Sequence, residues 1–196
     1  MRAILMPHKG KSAGHERAKI SRTAMSDAAS APRLKEVQDL NGNERENAMS
    51  ENTVRLHRVL ATSCEKVYRA FLDAGALAKW LPPHGFTCTV AHLEAKVGGT
   101  FRMAFTNFTS GNSHAFGGEY VELVPHTLIR YTDRFDDPNL PGVMNVTVKL
   151  KAVSVGTEIE IEQSGIPALI PVEACYLGWQ ESLDQLSKLV TPEIPG

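Results

Sequence analysis

VEACYLGWQESLDQLSKLV, residues 172–190, decides the fold. Val172, Tyr176, Trp179, Leu183, Leu186 and Val190 recur at 4-3-4-3-4 spacing, and at about 100° per residue they fall within an arc of roughly 80°. Leu169 and Cys175 flank this apolar stripe, while Glu181, Asp184, Gln185 and Lys188 point away from it. The pattern predicts a helix of roughly 20 residues, about 30 Å long, enough to lie across a whole sheet. It follows a run of alternating strands. A curved sheet holding one such helix leaves an apolar hollow between the two.

Working back from the helix, Val143–Val153 and Thr157–Ser164 read as a hairpin around Ser154-Val155-Gly156. Val146, Val148 and Leu150 share one face with Ile159 and Ile161. Lys149 and Lys151 share the other with Glu158, Glu160 and Glu162, a solvated face of opposite charges across antiparallel strands. Further strands are predicted at His114–Val124 and Thr127–Phe135, separated by Pro125-His126. Phe101, Met103 and Phe105 alternate with Arg102 and Ala104, and Phe86, Cys88 and Val90 alternate with Thr87 and Thr89. Pairs Gly98-Gly99 and Gly117-Gly118 read as bends or bulges.

Nearer the start, Val54, Leu56 and either Arg58 or Val59 suggest a first strand. Thr62-Ser63-Cys64-Glu65 has the form of a capping box with Thr62 as the cap. Val67, Ala70 and Phe71 line one face of a short helix, which Asp73-Ala74-Gly75 interrupts and Pro82-Pro83 stops. The order is strand, broken helical pair, six strands, long helix. Strands grouped together before a helix make an α+β fold rather than alternating βαβ units.

Composition fits one domain. The chain has 196 residues, 42% of them hydrophobic, and a net charge of −1. Near-neutral charge argues against a dedicated nucleic-acid binder, which carries a basic face. No apolar run approaches the 18 or so residues a membrane span needs. Cys64, Cys88 and Cys175 are odd in number and widely spaced, and read as reduced thiols of a cytoplasmic protein. The alternative for Cys175 is a reactive thiol facing the hollow.

Several short motifs add a resemblance. They are Glu65-Lys66-Val67-Tyr68-Arg69-Ala70, Lys79-Trp80-Leu81, Gly98-Gly99-Thr100-Phe101-Arg102, Gly118 to Leu123 with Pro125 and Leu128, Gly156-Thr157-Glu158, and Gly178-Trp179 with Leu183 and Leu186. In this order and spacing the stretch from about Thr53 to Val190, within a domain expected over residues 53–196, resembles the SRPBCC or START-like superfamily. Within it the stretch is similar to the bacterial proteins related to the C-terminal domain of the activator of the ninety-kilodalton heat-shock chaperone's ATPase. The resemblance implies a helix-grip (birch-pollen-allergen-like) α+β fold, an antiparallel sheet of about seven strands curved around the C-terminal helix, with a cavity between. It implies three kinds of role: a binder of a small apolar molecule, a co-chaperone-like partner of the chaperone, or a polyketide cyclase-like enzyme.

A cavity of this kind is mostly apolar, with a few polar groups that orient a ligand. The candidates for its lining are Trp80, Phe86, Phe101, Met103, Phe105, Tyr120, Tyr131, Met144, Tyr176 and Trp179, each of which could instead fill core. His84, after Pro82-Pro83, is a candidate at the cavity mouth. Arg130 is a candidate anchor, paired with Glu119 on the neighbouring strand. His92 and His114 lie on strands and read as structural. No catalytic residue is assigned, and no cofactor is expected. No metal-ligand spacing, nucleophile elbow, phosphate loop or dinucleotide fingerprint appears.

Residues 1–52 contain no aromatic residue and no sustained apolar periodicity, and are expected to be a disordered extension. Residues 1–24 are basic and superficially like an organellar transit peptide. Met25 and Met49 each precede Ser and an acidic stretch, and Met49 is the expected start of the functional protein. Intact-mass measurement of the natively expressed protein tests this; a dominant species starting at Met1 is the contrary result.

Overall fold

The computed structural model describes residues 52–193. The expected extension over 1–52, apart from its last residue, and the alternative starts at Met25 and Met49 lie outside that range. Seven strands and three helices follow in the expected order. They are β1 (Val54–Leu60), α1 (Cys64–Leu72), α2 (Ala74–Trp80), β2 (Phe86–Leu93), β3 (Thr100–Asn107), β4 (Ser113–Val124), β5 (Leu128–Phe135), β6 (Met144–Val153), β7 (Gly156–Ser164) and α3 (Val172–Val190).

All neighbours in the sheet are antiparallel, in the order β1-β7-β6-β5-β4-β3-β2. Consecutive strands from β2 to β7 are joined as hairpins, and β1 returns to pair with β7. The two edges, β1 and β2, are therefore adjacent in sequence but separated by the full sheet. Helices α1 and α2 carry the chain between them. The sheet curls into a half-barrel with α3 packed against its concave face.

Local chemistry explains each element. On the β6–β7 hairpin, Val148 faces Ile161 and Leu150 faces Ile159, all buried, while Lys149 faces Glu160 and Lys151 faces Glu158 on the solvated side. The capping box does not form as Thr62 to Glu65. Ser63 caps α1 instead, its hydroxyl accepting from the Lys66 amide at 3.3 Å. The carbonyl of Thr62 is held by the Thr157 hydroxyl on β7, at 2.7 Å, which draws Thr62 into the sheet side and leaves the cap to its neighbour. Asp73 ends α1 and caps α2, accepting from the Ala76 amide at 2.7 Å. On β1 it is Arg58 that continues the inward alternation, and Val59 is exposed.

The stripe of α3 is rotated at its start. Cys175, Gly178, Trp179, Ser182, Leu183, Leu186 and Val190 are buried, whereas Tyr176 is 41% exposed. Glu181 and Gln185 do not point into solvent. Glu181 accepts from the His84 amide at 3.0 Å, and Gln185 donates to the Pro82 carbonyl, so this side of the helix holds the loop that follows α2.

Sheet curvature comes from two irregularities and one glycine pair. Bulges interrupt the β2–β3 register at Val90/His92 and the β4–β5 register at Tyr120/Glu122, and bulges bend and twist a sheet locally. At Gly118 a Cβ would collide with the Thr132 carbonyl oxygen and crowd the ring of Phe101. Gly118→Ala is therefore expected to lower stability by more than about 2 kcal/mol, read from urea unfolding. Gly111→Ala, in open space but at φ 75°, should cost only about 1 kcal/mol. Equal effects of the two substitutions would contradict this origin of the curvature.

Candidate functional site

Between α3 and the concave face lies a recess with a cavity volume of about 50 Å³. Three groups of residues wall it. The sheet contributes Phe101, Met103 and Phe105 from β3, Phe116 and Tyr120 from β4, Tyr131 and Asp133 from β5, and Gln163 from β7. These are inward positions of strands with two-residue alternation, which is why one face supplies nearly all of them. Helix α3 contributes Cys175, Gly178, Trp179 and Ser182, spaced to face the same way. Phe71, Leu77 and Leu81 close it from the α1–α2 side.

The aromatic residues of the sheet wall form two groups, Phe101 with Tyr120 and Tyr131, and Phe105 with Phe116. The Phe101 ring centroid lies 5.6 Å from Tyr120 and 5.7 Å from Tyr131, and Phe105 meets Phe116 edge-on at 4.8 Å. Such tilted and edge-on pairs are the favoured geometry of aromatic contacts. Most of the polar groups on the wall are engaged inside the protein. The Trp179 indole N–H donates to Gln163 Oε1 at 2.7 Å, joining helix to sheet. Gln163 Nε2 then donates to the Met144 sulfur at 3.3 Å. The Tyr120 hydroxyl donates to the Phe71 carbonyl at 3.3 Å. Ser182 Oγ lies 2.6 Å from the Leu81 carbonyl oxygen and 2.9 Å from that of Gly178.

Six of the residues expected at the cavity line it: Phe101, Met103, Phe105, Tyr120, Tyr131 and Trp179. The others stand elsewhere. Trp80 is fully buried behind Phe71, its ring 4.6 Å away, with its indole N–H on the Ala70 carbonyl at 2.8 Å. Met144 is buried and serves Gln163 from outside the wall. Phe86 begins β2, half-buried against the core. Tyr176 is turned outward by the rotation of α3. His84 is exposed in the loop after α2, held through its backbone amide by Glu181.

Arg130 lies on the opposite face of the sheet and pairs with Glu122 at 3.2 Å, not with Glu119. The bulge between Tyr120 and Glu122 advances the register, so that Glu122 stands opposite Arg130. His92 bonds Thr100 Oγ1 on the exposed side at 3.1 Å. Cys175 does face the recess, but burial pushes its thiol up in pKa, away from the reactive thiolate. All three cysteines are free.

Asp133, Gln163, Phe116 and Ser182 were missed by sequence reasoning. For Asp133 a signal existed: Ile129, Tyr131 and Asp133 keep strict alternation on β5, which puts a carboxyl on the inward face. It is 7% exposed, and its Oδ1 has no hydrogen-bond partner. Burial pushes its pKa up to about 7, with the Arg134 backbone amide pulling the other way. Burial and the Asp133 charge together hold the Tyr131 phenol well above its ordinary range.

The raised Asp133 has a consequence for stability. The folded protein favours the neutral acid, so its contribution is undiminished below the unfolded carboxyl pKa near 4. It is lost as pH rises from there to about 7, because the unfolded state gives up its proton first. Asp133→Asn should therefore unfold at higher urea than the parent at pH 8, with the difference shrinking toward pH 4. A difference independent of pH would contradict a raised pKa.

Among the described residues no helix is long and apolar enough to cross a membrane, and no cluster of His, Cys, Asp or Glu is arranged to hold a metal ion. The sequence profile described as Activator of Hsp90 ATPase homolog 1-like protein matches residues 61–191. A solved protein from Chromobacterium violaceum is 60% identical, with a TM-score of 0.72, over 72% of this chain and 99% of its own. Solved proteins from Nitrosomonas europaea (23% identical, TM-score 0.61, 71% of this chain and 94% of its own) and Rhodobacter sphaeroides (21%, 0.64, 71% and 91%) share the fold. No curated protein matches. With a helix clasped by a seven-stranded antiparallel half-barrel, and a profile match over more than half of its length, the chain belongs to the Activator of Hsp90 ATPase homolog 1-like family of the SRPBCC superfamily.

Proposed function

We propose that the protein binds a small, largely apolar molecule in the recess between α3 and the sheet. The observation that carries this reading is the wall itself: seven aromatic side chains with Met103, Leu77 and Leu81 around free space inside the domain. Protein interiors are normally close-packed, so free space of this kind comes at a cost in lost contacts that a ligand would restore. The space also bears on size. Dry cavities of roughly 150 Å³ hold a benzene molecule, so the 50 Å³ here, about a third of that, sets a single ring as the upper limit and requires the walls to move apart to admit it. Met103, unbranched and adaptable, allows that movement. A fused multi-ring polyketide would need far larger rearrangement.

Placement of the candidate chemical groups also favours binding over cyclase-like catalysis. His84 and Glu119 are exposed, away from the lining, and the Tyr120 hydroxyl is spent on the Phe71 carbonyl and raised in pKa by burial. The co-chaperone reading is supported by the family description alone.

Toluene is a suitable probe. In a heteronuclear NMR titration the Trp179 indole N–H should shift, while that of Trp80, fully buried behind Phe71, stays in place. Cys175→Phe, which fills the recess from α3, should remove the toluene response of Trp179. An unmoved Trp179 resonance in the parent protein at toluene saturation would refute the reading.

A further inference from the structure

The polar groups on the cavity wall are not equivalent. Gln163, Tyr120 and Ser182 are each engaged by a partner within the fold. Asp133 differs from these three: more than nine-tenths buried, part of the lining, with Oδ1 unpartnered. A buried carboxyl with a free acceptor costs stability, and more so when it is charged. It persists here on a strand whose other inward residues, Ile129 and Tyr131, are apolar or aromatic. Building on the binding reading above, we propose that Asp133 is the anchor of a cation subsite, and that the cavity takes a ring-sized amine whose ammonium group donates to Oδ1.

Three physical arguments favour an ammonium over a neutral donor. Among the described residues no basic side chain pairs with Asp133; burial and the Arg134 amide are what act on it. An incoming cation is the counter-charge the fold leaves out. Aromatic rings wall the recess, and ring faces attract cations, more strongly once water is excluded. Most of the desolvation of the carboxyl has also been met on folding, so binding need desolvate only the amine. Apolar walls would hold the ring and Asp133 the charged end, the usual division of labour in a small-molecule site.

The charge state of Asp133 makes the subsite pH-sensitive. The titratable groups that line the recess with it are Tyr131 on β5, Tyr120 on β4 and Cys175 on α3, and burial keeps all three neutral through the physiological range. Asp133 alone among them ionises near pH 7. Amine affinity should therefore rise by about tenfold from pH 6 to pH 8, as the carboxylate fraction grows. Toluene, which carries no charge, should bind equally at both.

The test titrates the full chain with benzylamine and with toluene, following the Trp179 indole N–H at pH 6 and pH 8, in the parent and in Asp133→Asn. Benzylamine is expected to bind at least about tenfold tighter than toluene at pH 8 in the parent, with Asp133→Asn abolishing that preference and leaving toluene affinity unchanged. If toluene binds and benzylamine binds no tighter at pH 8, the cation subsite is overturned and the apolar cavity stands. If neither shifts Trp179, both are overturned. Should Asp133→Asn fail to fold, the pH 6 to pH 8 ratio in the parent decides: a ratio near one overturns the subsite.

Discussion

One helix with a buried face 19 residues long needs a single continuous surface to cover it, and that requirement governs this protein. Seven antiparallel strands provide the surface, but only because the sheet curls. The β4 glycine pair lets neighbouring backbones approach closely, and the bulges at Val90/His92 and Tyr120/Glu122 bend the ladder. The Trp179–Gln163 hydrogen bond then ties helix to sheet where the two surfaces face each other. A straight rod cannot fill a curved trough everywhere. The hollow follows from the mismatch of shapes rather than from any special motif.

Edge placement completes the design. Since β1 and β2 occupy opposite edges, the short segment between them must cross the domain. Helices α1 and α2 do this, and Phe71, Leu77 and Leu81 become a wall of the recess. Two prolines and Gln185 then fix the loop that leads to β2. The connection that solves a topological problem thus also shapes the site.

Charge is sorted across the sheet. On the outer face, Arg55 meets Glu162 at 3.0 Å, Lys151 meets Glu158 at 3.5 Å, and Arg130 meets Glu122 at 3.2 Å. These pairs are exposed and individually worth little, but they keep that face wet and the register defined. On the inner face the hydrogen-bonding groups are few and mostly consumed by the fold. Asp133 stands out in that setting as a buried acid whose Oδ1 the fold leaves unpartnered.

Strand alternation and the helical stripe were legible because both depend on local periodicity. Phe101, Met103, Phe105, Tyr120 and Tyr131 follow from counting by twos, and Leu183, Leu186 and Val190 from counting by threes and fours. Errors arose where a contact distant in sequence shifted a local pattern. Glu119 stands opposite Thr132, and the bulge at Val121 brings Glu122 opposite Arg130; Thr157 took up the Thr62 carbonyl and passed the cap to Ser63, and α3 turned Cys175 and Gly178 inward in place of Tyr176. Trp80 and Met144 have the same composition as lining residues but stand one layer behind. No periodicity distinguishes the first layer of a core from the second.

The sequence by itself determined the element order, the α+β class, the inward faces and the family resemblance, since these depend on residue type and spacing alone. Only the tertiary structure decided which inward residues border free space, which polar groups find partners, and which is left without one. Those outcomes depend on the curvature of the sheet and the roll of one helix against it, and neither quantity belongs to any single stretch of chain.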